Sequence, residues 1–385
     1  MRSKVLIAAI VICLLAACGN SKKITRSSQA ASVSIAGLKL LDEYVIPHNM
    51  MFDSTIVGGL SGIDYDAAHD RYFIISDERS FTSPARFYTA SIRINNYRVD
   101  TVIFLEVHSL KQPDGSVFPS FVQNAQRTPD PESIRFWPAK NSLVWTSEGD
   151  REIRRGKMIY QDPYVYEMDL QGNFRDSFIT PTNLDMQVEE KGPRENGVFE
   201  GSSFSRDYKY LYVSMEAPIY EDGPVSDAKY AGAPIRITKF DTKTYRPVAQ
   251  YAYLLEAVAY EQKPSTGFYI NGVDEILELG NNRLLVMERS FSTGVLKNTI
   301  RIFLADISSA TDVSSMEGLH LNKKYKPASK KLLFNSDDLN RYIDNVEGMT
   351  QGPLLPNGHQ SLILIADNNF NALEKSQVFL FEIIP

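Results

Sequence analysis

Acid pairs with a recurrent internal spacing run along this 385-residue chain. Glu132 and Glu148 stand 16 residues apart, as do Glu200 and Glu216, and Ser61 keeps the same distance from Asp77. A fourth pair, Glu275 and Glu288, is 13 apart, and a fifth, Glu347 and Asp367, is 20 apart. Two more acids adjoin these, Glu78 after Asp77 and Asp274 before Glu275. Carboxylates gathered in that number cannot all stay ionised, so either some are protonated or cations lie among them. Oxygen ligands without a matching His or Cys cluster select Ca2+, with Mg2+ as the alternative, ahead of zinc. The five histidines, His48, His69, His108, His320 and His359, show no ligand spacing and read as surface or loop residues.

Arginines accompany the acids. Arg79, Arg151 and Arg289 come just after closing acids, and Arg194 precedes the third pair. Guanidinium forks suit phosphate and carboxylate alike, so these residues either face a phosphorylated substrate or stitch neighbouring acids together. The chemistry that uses both sets is metal-dependent phosphoester hydrolysis. Its candidate ligands are Asp77, Glu78, Glu132, Glu148, Glu200, Glu216, Asp274, Glu275, Glu288, Glu347 and Asp367. A cation held there would polarise phosphoryl oxygens and acidify a water that one carboxylate, Glu200, positions, while Arg79, Arg151 or Arg289 neutralises developing charge. A covalent route lacks its motif, because the stretch Gly59-Leu60-Ser61-Gly62 is not Gly-x-Ser-x-Gly.

Each acid pair brackets a hairpin. The five phrases are GGLSGIDYDAAHDRYFIISDER ending at Arg79, PESIRFWPAKNSLVWTSEGDR from Pro131, FEGSSFSRDYKYLYVSMEAP from Phe199, VDEILELGNNRLLVMERSF from Val273 and VEGMTQGPLLPNGHQSLILIADNN from Val346. Two strands of about five or six residues and a short loop need this spacing, which sets both acids at one end of antiparallel neighbours about 4.8 Å apart. Taking Ser61, Glu132, Glu200, Glu275 and Glu347 as equivalent, the steps are 71, 68, 75 and 72 residues, the mark of a repeat architecture. Further strand candidates lie at 87–94, 99–107, 164–170, 174–179, 235–240, 248–254, 299–306 and 378–384. About four strands per period is a propeller blade.

The first strand of a blade lines the central channel, so the acids are expected to form a ring at one mouth. The count is five blades, with six as the alternative if an acidic phrase has eroded within 108–130 or 307–340. Residues 37–46 form a spare strand ahead of the first phrase, and the last repeat is one strand short. Pairing the two would close the ring and remove two exposed edges.

Composition agrees with one large all-β domain over 37–385, since 43% hydrophobic residues suffice for a core and 20 Tyr with 20 Phe favour strands. The net charge of −6 and the lack of a basic run exclude nucleic acid as partner.

Residues 1–17 carry a positive start, an apolar run from Val5 to Leu15 and the small-residue site Leu15-Ala16-Ala17 before Cys18. This stretch resembles a bacterial lipoprotein signal. The resemblance implies lipidation of Cys18, a membrane partner through that anchor and a place in the cell envelope. Gly19 and Asn20 in place of Asp favour the outer membrane, facing the periplasm. Residues 18–36 would then be a tether, and loss of Cys13 with the signal would leave a domain without disulfides.

At the phrases GGLSGIDYD with ISDER, PESI with TSEGD, FEGSS with VSMEA, GVDEILEL with MERSF, and NVEGM with IADNN, the chain resembles the phytase-like family described as carrying esterase-like activity of phytase. The resemblance covers about 37–385 and implies an extracytoplasmic propeller that hydrolyses phosphoesters. The Asp-rich active-site signature of β-propeller phytases has no match here. Two other readings stand beside it: a binding propeller in which Ca2+ is structural and the loops 112–131 and 220–233 are contact surfaces, and a calcium-dependent lactonase-type hydrolase.

Overall fold

The apolar runs pair into five four-stranded antiparallel sheets, one for each acidic phrase. A computed structural model describes residues 35–385 apart from 155, 296 and 321–323. The expected signal over 1–17, Cys18 and the tether as far as residue 34 lie outside the described residues.

Blade 1 runs from the axis outwards as Leu60–Asp66, Arg71–Ser76, Arg86–Asn95 and Arg98–Ser109. Blade 2 is Pro131–Trp137, Ser142–Ser147, Tyr164–Asp169 and Phe174–Phe178, with a separate hairpin, Asp150–Arg154 and Lys157–Gln161, inserted after its second strand. Blade 3 comprises Phe199–Phe204, Tyr210–Met215, Pro234–Asp241 and Arg246–Leu254, and blade 4 comprises Tyr269–Gly280, Arg283–Ser292, Thr299–Asp306 and Ser329–Asn335. Blade 5 takes three strands from the C-terminal phrase, Asn345–Leu354, Gln360–Asp367 and Gln377–Ile384, and its outer strand is Gly37–Val45. That strand runs antiparallel from Gly37 opposite Ile384 to Val45 opposite Gln377, the closure expected from the spare strand.

Among the described residues there are five blades and no sixth. The stretch 108–130 holds the end of the fourth strand of blade 1 and then a loop with one turn of helix, Phe121–Asn124, started by a Ser120 and Gln123 capping box and followed by a 3-10 turn, Ala125–Arg127. The stretch 307–340 contains the outer strand of blade 4. No described helix is long and apolar enough to cross a membrane.

The core lies between blades, because each sheet is apolar on both faces. Phe73 and Phe87 of blade 1 meet Phe136 and Trp145 of blade 2, and Trp137 of blade 2 meets Phe204 of blade 3. Each fully buried Phe contributes on the order of 1.5–3 kcal/mol.

Near the axis the innermost strands touch backbone to backbone. A Cβ on Gly201 would lie 2.5 Å from Ile276 N, and one on Gly62 would lie 2.6 Å from Glu132 O. Arg135 occupies the axis itself. Its guanidinium donates to the carbonyls of Ile63 at 2.7 Å, Met349 at 3.2 Å and Ile276 at 3.3 Å, and to that of Ser202, one acceptor from each of the other four blades. An ion pair with Glu275 completes the plug, which separates an acidic cavity at one mouth from a smaller one at the other.

Candidate metal centre

A β-bulge in every blade builds the site. The innermost strand holds one extra residue against its partner between Leu60 and Ile63, Pro131 and Ile134, Phe199 and Ser202, Val273 and Glu275, and Val346 and Gly348. Bulges bend a strand and re-aim a side chain. The residues they present are Ser61, Glu132, Glu200, Asp274 and Glu347. On the second strand, the residue just past the pairing partner is Asp77, Glu148, Glu216, Arg289 and Asp367 in turn. Register therefore shifts the fourth pair by one residue at each end: Asp274 replaces Glu275, and Arg289 replaces Glu288.

These positions surround a cavity of 1080 Å³. Ten carboxylates line it, including Asp130, Glu195, Asp344 and Glu374 beyond the ring itself, against three cations, Arg79, Arg289 and Lys297. Asp274 and Asp367 lie buried behind that lining. Three groups bring their carboxylate oxygens within 4.8 Å of one another: Asp130 with Glu132 and Glu148, Glu148 with Glu200 and Glu216, and Asp77 with Glu347 and Asp367. Glu148 belongs to two of them.

Burial and mutual repulsion hold these acids towards their protonated forms. Burial, then the charge of Asp130, pushes Glu148 up to about 8. Glu200 is raised well above its ordinary value by burial and by Glu132, Glu148, Glu216 and Asp274, and Asp77, Glu132, Glu216 and Glu347 move the same way. Asp130, Asp274 and Asp367 rise to about 6, burial being the main cause in each. Buried Asp274 Oδ2, Glu347 Oε2 and Asp367 Oδ1 have no hydrogen-bond partner among the described residues. Such orphaned oxygens in an all-carboxylate set fit a hard divalent cation.

The ring has two non-acidic members. Ser61 donates to Glu132 Oε2 at 2.9 Å. Arg289 reaches Asp274 Oδ1 at 2.9 Å, Glu216 Oε1 at 3.6 Å and Glu347 Oε1 at 3.8 Å. Gly272 allows this, since a Cβ there would lie 2.3 Å from the Glu216 Cγ.

A family model described as phytase-like, esterase-like activity of phytase, matches residues 55–370, a span that takes in all five bulges. The chain belongs to this phytase-like family. No curated protein matches it. Among solved structures, this phytase-like propeller is similar to an endo-arabinase from Bacteroides thetaiotaomicron, with 11% identity, 87% of this chain and 96% of that one covered, and a TM-score of 0.42. It is similar also to a gluconolactonase from Xanthomonas campestris, with 9% identity, 89% of each chain covered and a TM-score of 0.33.

Within the phytase-like propeller, not every expected ligand reaches the cavity. Glu78 accepts from Ser83 N at 2.9 Å and pairs with Arg86, tying down its own loop. Glu275 points to the axis and pairs with Arg135. Glu288 faces away from the mouth, accepting from Tyr253 Oη at 2.7 Å and from Asn271 Nδ2 and Lys330 Nζ at 2.8 Å, and so binds blade 3 to blade 4. Of the arginines, Arg289 sits in the ring and Arg79 lines the cavity, paired with Asp150 and lying 3.5 Å from Asp130. Arg151 lies outside it, donating to the Glu189 carbonyl at 2.7 Å and to Tyr220 Oη. Asp130, one residue ahead of the second phrase and two before Glu132, is a lining acid that the acid pairs do not point to.

Proposed function

We propose that this phytase-like propeller is a metal-dependent phosphoester hydrolase working at the acidic mouth, with Ca2+, or Mg2+ in its place, held by the three carboxylate groups of the ring. The observation that carries the reading is the set of buried, unpartnered carboxylate oxygens around a cavity open to solvent. A bound Ca2+ supplies a Lewis acid that polarises a phosphoryl oxygen and acidifies water. Glu200, ionised once a cation offsets the neighbouring acids, would accept a proton from a water aimed at phosphorus and pass it to the alcohol oxygen that leaves as its P–O bond breaks. Arg289, oriented by Asp274, presents its fork to the phosphoryl oxygens, and Arg79 holds Asp130 in place.

The test is hydrolysis of an aryl phosphomonoester and an aryl phosphodiester by the protein with Ca2+, with chelator and as Glu200→Gln. Turnover is expected with metal only, and to fall about 100-fold or more in the variant. Should chelator lower the melting temperature while no ester is cleaved under any metal, the cations serve structure alone. The same reading puts the domain on a membrane through lipid at Cys18. Cys18→Ser should then move the protein from the membrane fraction to the soluble fraction, and retention there would refute the anchor.

A further inference from the structure

The inner hairpin of blade 4 runs further past its bulge towards the mouth than that of any other blade. Its first two strands have 12 and 10 residues, where those of blades 1 to 3 have six or seven. Four of the extra residues, Tyr269 to Gly272, precede the bulge region at Asp274 and pair with Ser292 to Arg289. The hairpin therefore rises past the acids as one wall of the mouth, by roughly 13 Å at the rise of a strand.

Side chains two apart on a strand share a face, and so do direct cross-strand partners. Arg289 and Phe291 thus share a face with their partners Gly272 and Ile270. Phe268 extends that face, with its ring 6.2 Å from that of Phe291 and its carbonyl accepting from Thr293 N at 2.8 Å. From floor to rim the wall reads Arg289, Ile270 with Phe291, then Phe268, and all four line the acidic cavity. Tyr342 and Leu373 line it too, and Leu373 and Phe268 are 87% and 62% exposed. Apolar groups clustered over a charged floor, rather than scattered singly, mark a surface built for contact.

The cations of the cavity are few and already engaged. Arg79 is paired with Asp150, Arg289 with Asp274 and Lys297 with Asp337. With Ca2+ on the acids the floor can receive one phosphate beside Arg289, whereas the blade 4 wall above it, Ile270, Phe291 and Phe268, offers a second phosphate no partner. Resting on the hydrolase reading above, we infer that the substrate carries one phosphate, held on the floor, and an apolar alcohol of aryl size or larger laid along the blade 4 wall.

Calorimetric titration of the full-length, Ca2+-loaded protein with benzylphosphonate, methylphosphonate and myo-inositol hexakisphosphate tests this without needing turnover. Benzylphosphonate is expected to bind about tenfold or more tighter than methylphosphonate. The Phe268→Ala, Phe291→Ala double variant should lose most of that gap while keeping its affinity for methylphosphonate, which also reports that it is folded. Equal affinities, binding of neither phosphonate, or tightest binding of the hexakisphosphate would overturn the inference. Aryl preference without hydrolysis of any aryl phosphate would sink only the catalytic reading. Hydrolysis without aryl preference would sink only this one.

Discussion

Arg289 Nη2 stands 2.9 Å from Asp274 Oδ1, at the ring position that a carboxylate fills in the other four blades. The pair sets a positive charge within the ring itself, where Arg289 also lies 3.6 Å from Glu216 Oε1 and 3.8 Å from Glu347 Oε1. The second arginine of the cavity, Arg79, lies 3.5 Å from Asp130, so the two carboxylate groups that share Glu148 have an arginine on either flank.

Replacing Arg289 with Met leaves Asp274, Glu216 and Glu347 without their countercharge. Breaking a buried pair in this way costs about 3–5 kcal/mol. The urea midpoint of the chelated variant should fall accordingly, and excess Ca2+ should restore part of it. Arg151→Ala, whose guanidinium lies outside the cavity, should leave both the midpoint with Ca2+ and any esterase activity unchanged. An unaffected Arg289→Met midpoint in chelator would contradict the pairing.

Stability of the metal-free protein should depend on pH with an unusual sign. Glu148 is raised from its ordinary 4.5 to about 8, so the folded state keeps a proton that the unfolded chain releases. Stability is then greatest below about 4.5 as far as this group is concerned, and is lost as pH rises towards about 8. Ca2+ displaces the proton and should flatten or reverse the slope. Melting temperatures in chelator and in Ca2+, compared between about pH 5.5 and about pH 8.5, decide the matter; a flat curve in chelator contradicts it.

Arg135 and Glu275 form the third test. Arg135→Met strands Glu275 in the core and removes donors from four carbonyls, with an expected loss of about 3–5 kcal/mol. Adding Glu275→Gln should recover part of that loss, because no uncompensated charge is left. A double variant less stable than the single one would show that the pair is not coupled as its geometry requires.

Much of this was readable from residues. The repeat located all five hairpins, and the spare strand at 37–46 pointed to the closure because nothing else in the last repeat could pair with Gln377–Ile384. Reading failed where adjacent residues of like chemistry compete. Asp274 and Glu275 are both acids, and only the bulge between Val273 and Glu275 decides which faces the mouth. The same bulge puts Arg289, expected beside the ring, at the ring position that the pattern assigns to Glu288. The axial role of Arg135 depends on carbonyls contributed by four other blades, which no local spacing reports. The outer strand of blade 4 was hidden by the long loop ahead of it.

The closure by Gly37–Val45 also bears on the order of assembly. Its partner, Gln377–Ile384, is synthesised after the other strands of the propeller, so Gly37–Val45 must wait unpaired until all five blades exist. The cluster of Asp77 with Glu347 and Asp367 straddles that same seam, drawing one acid from blade 1 and two from blade 5. A cation seated there would rivet the first blade to the last without any covalent bond, and the site could not be complete in a chain whose circle is still open.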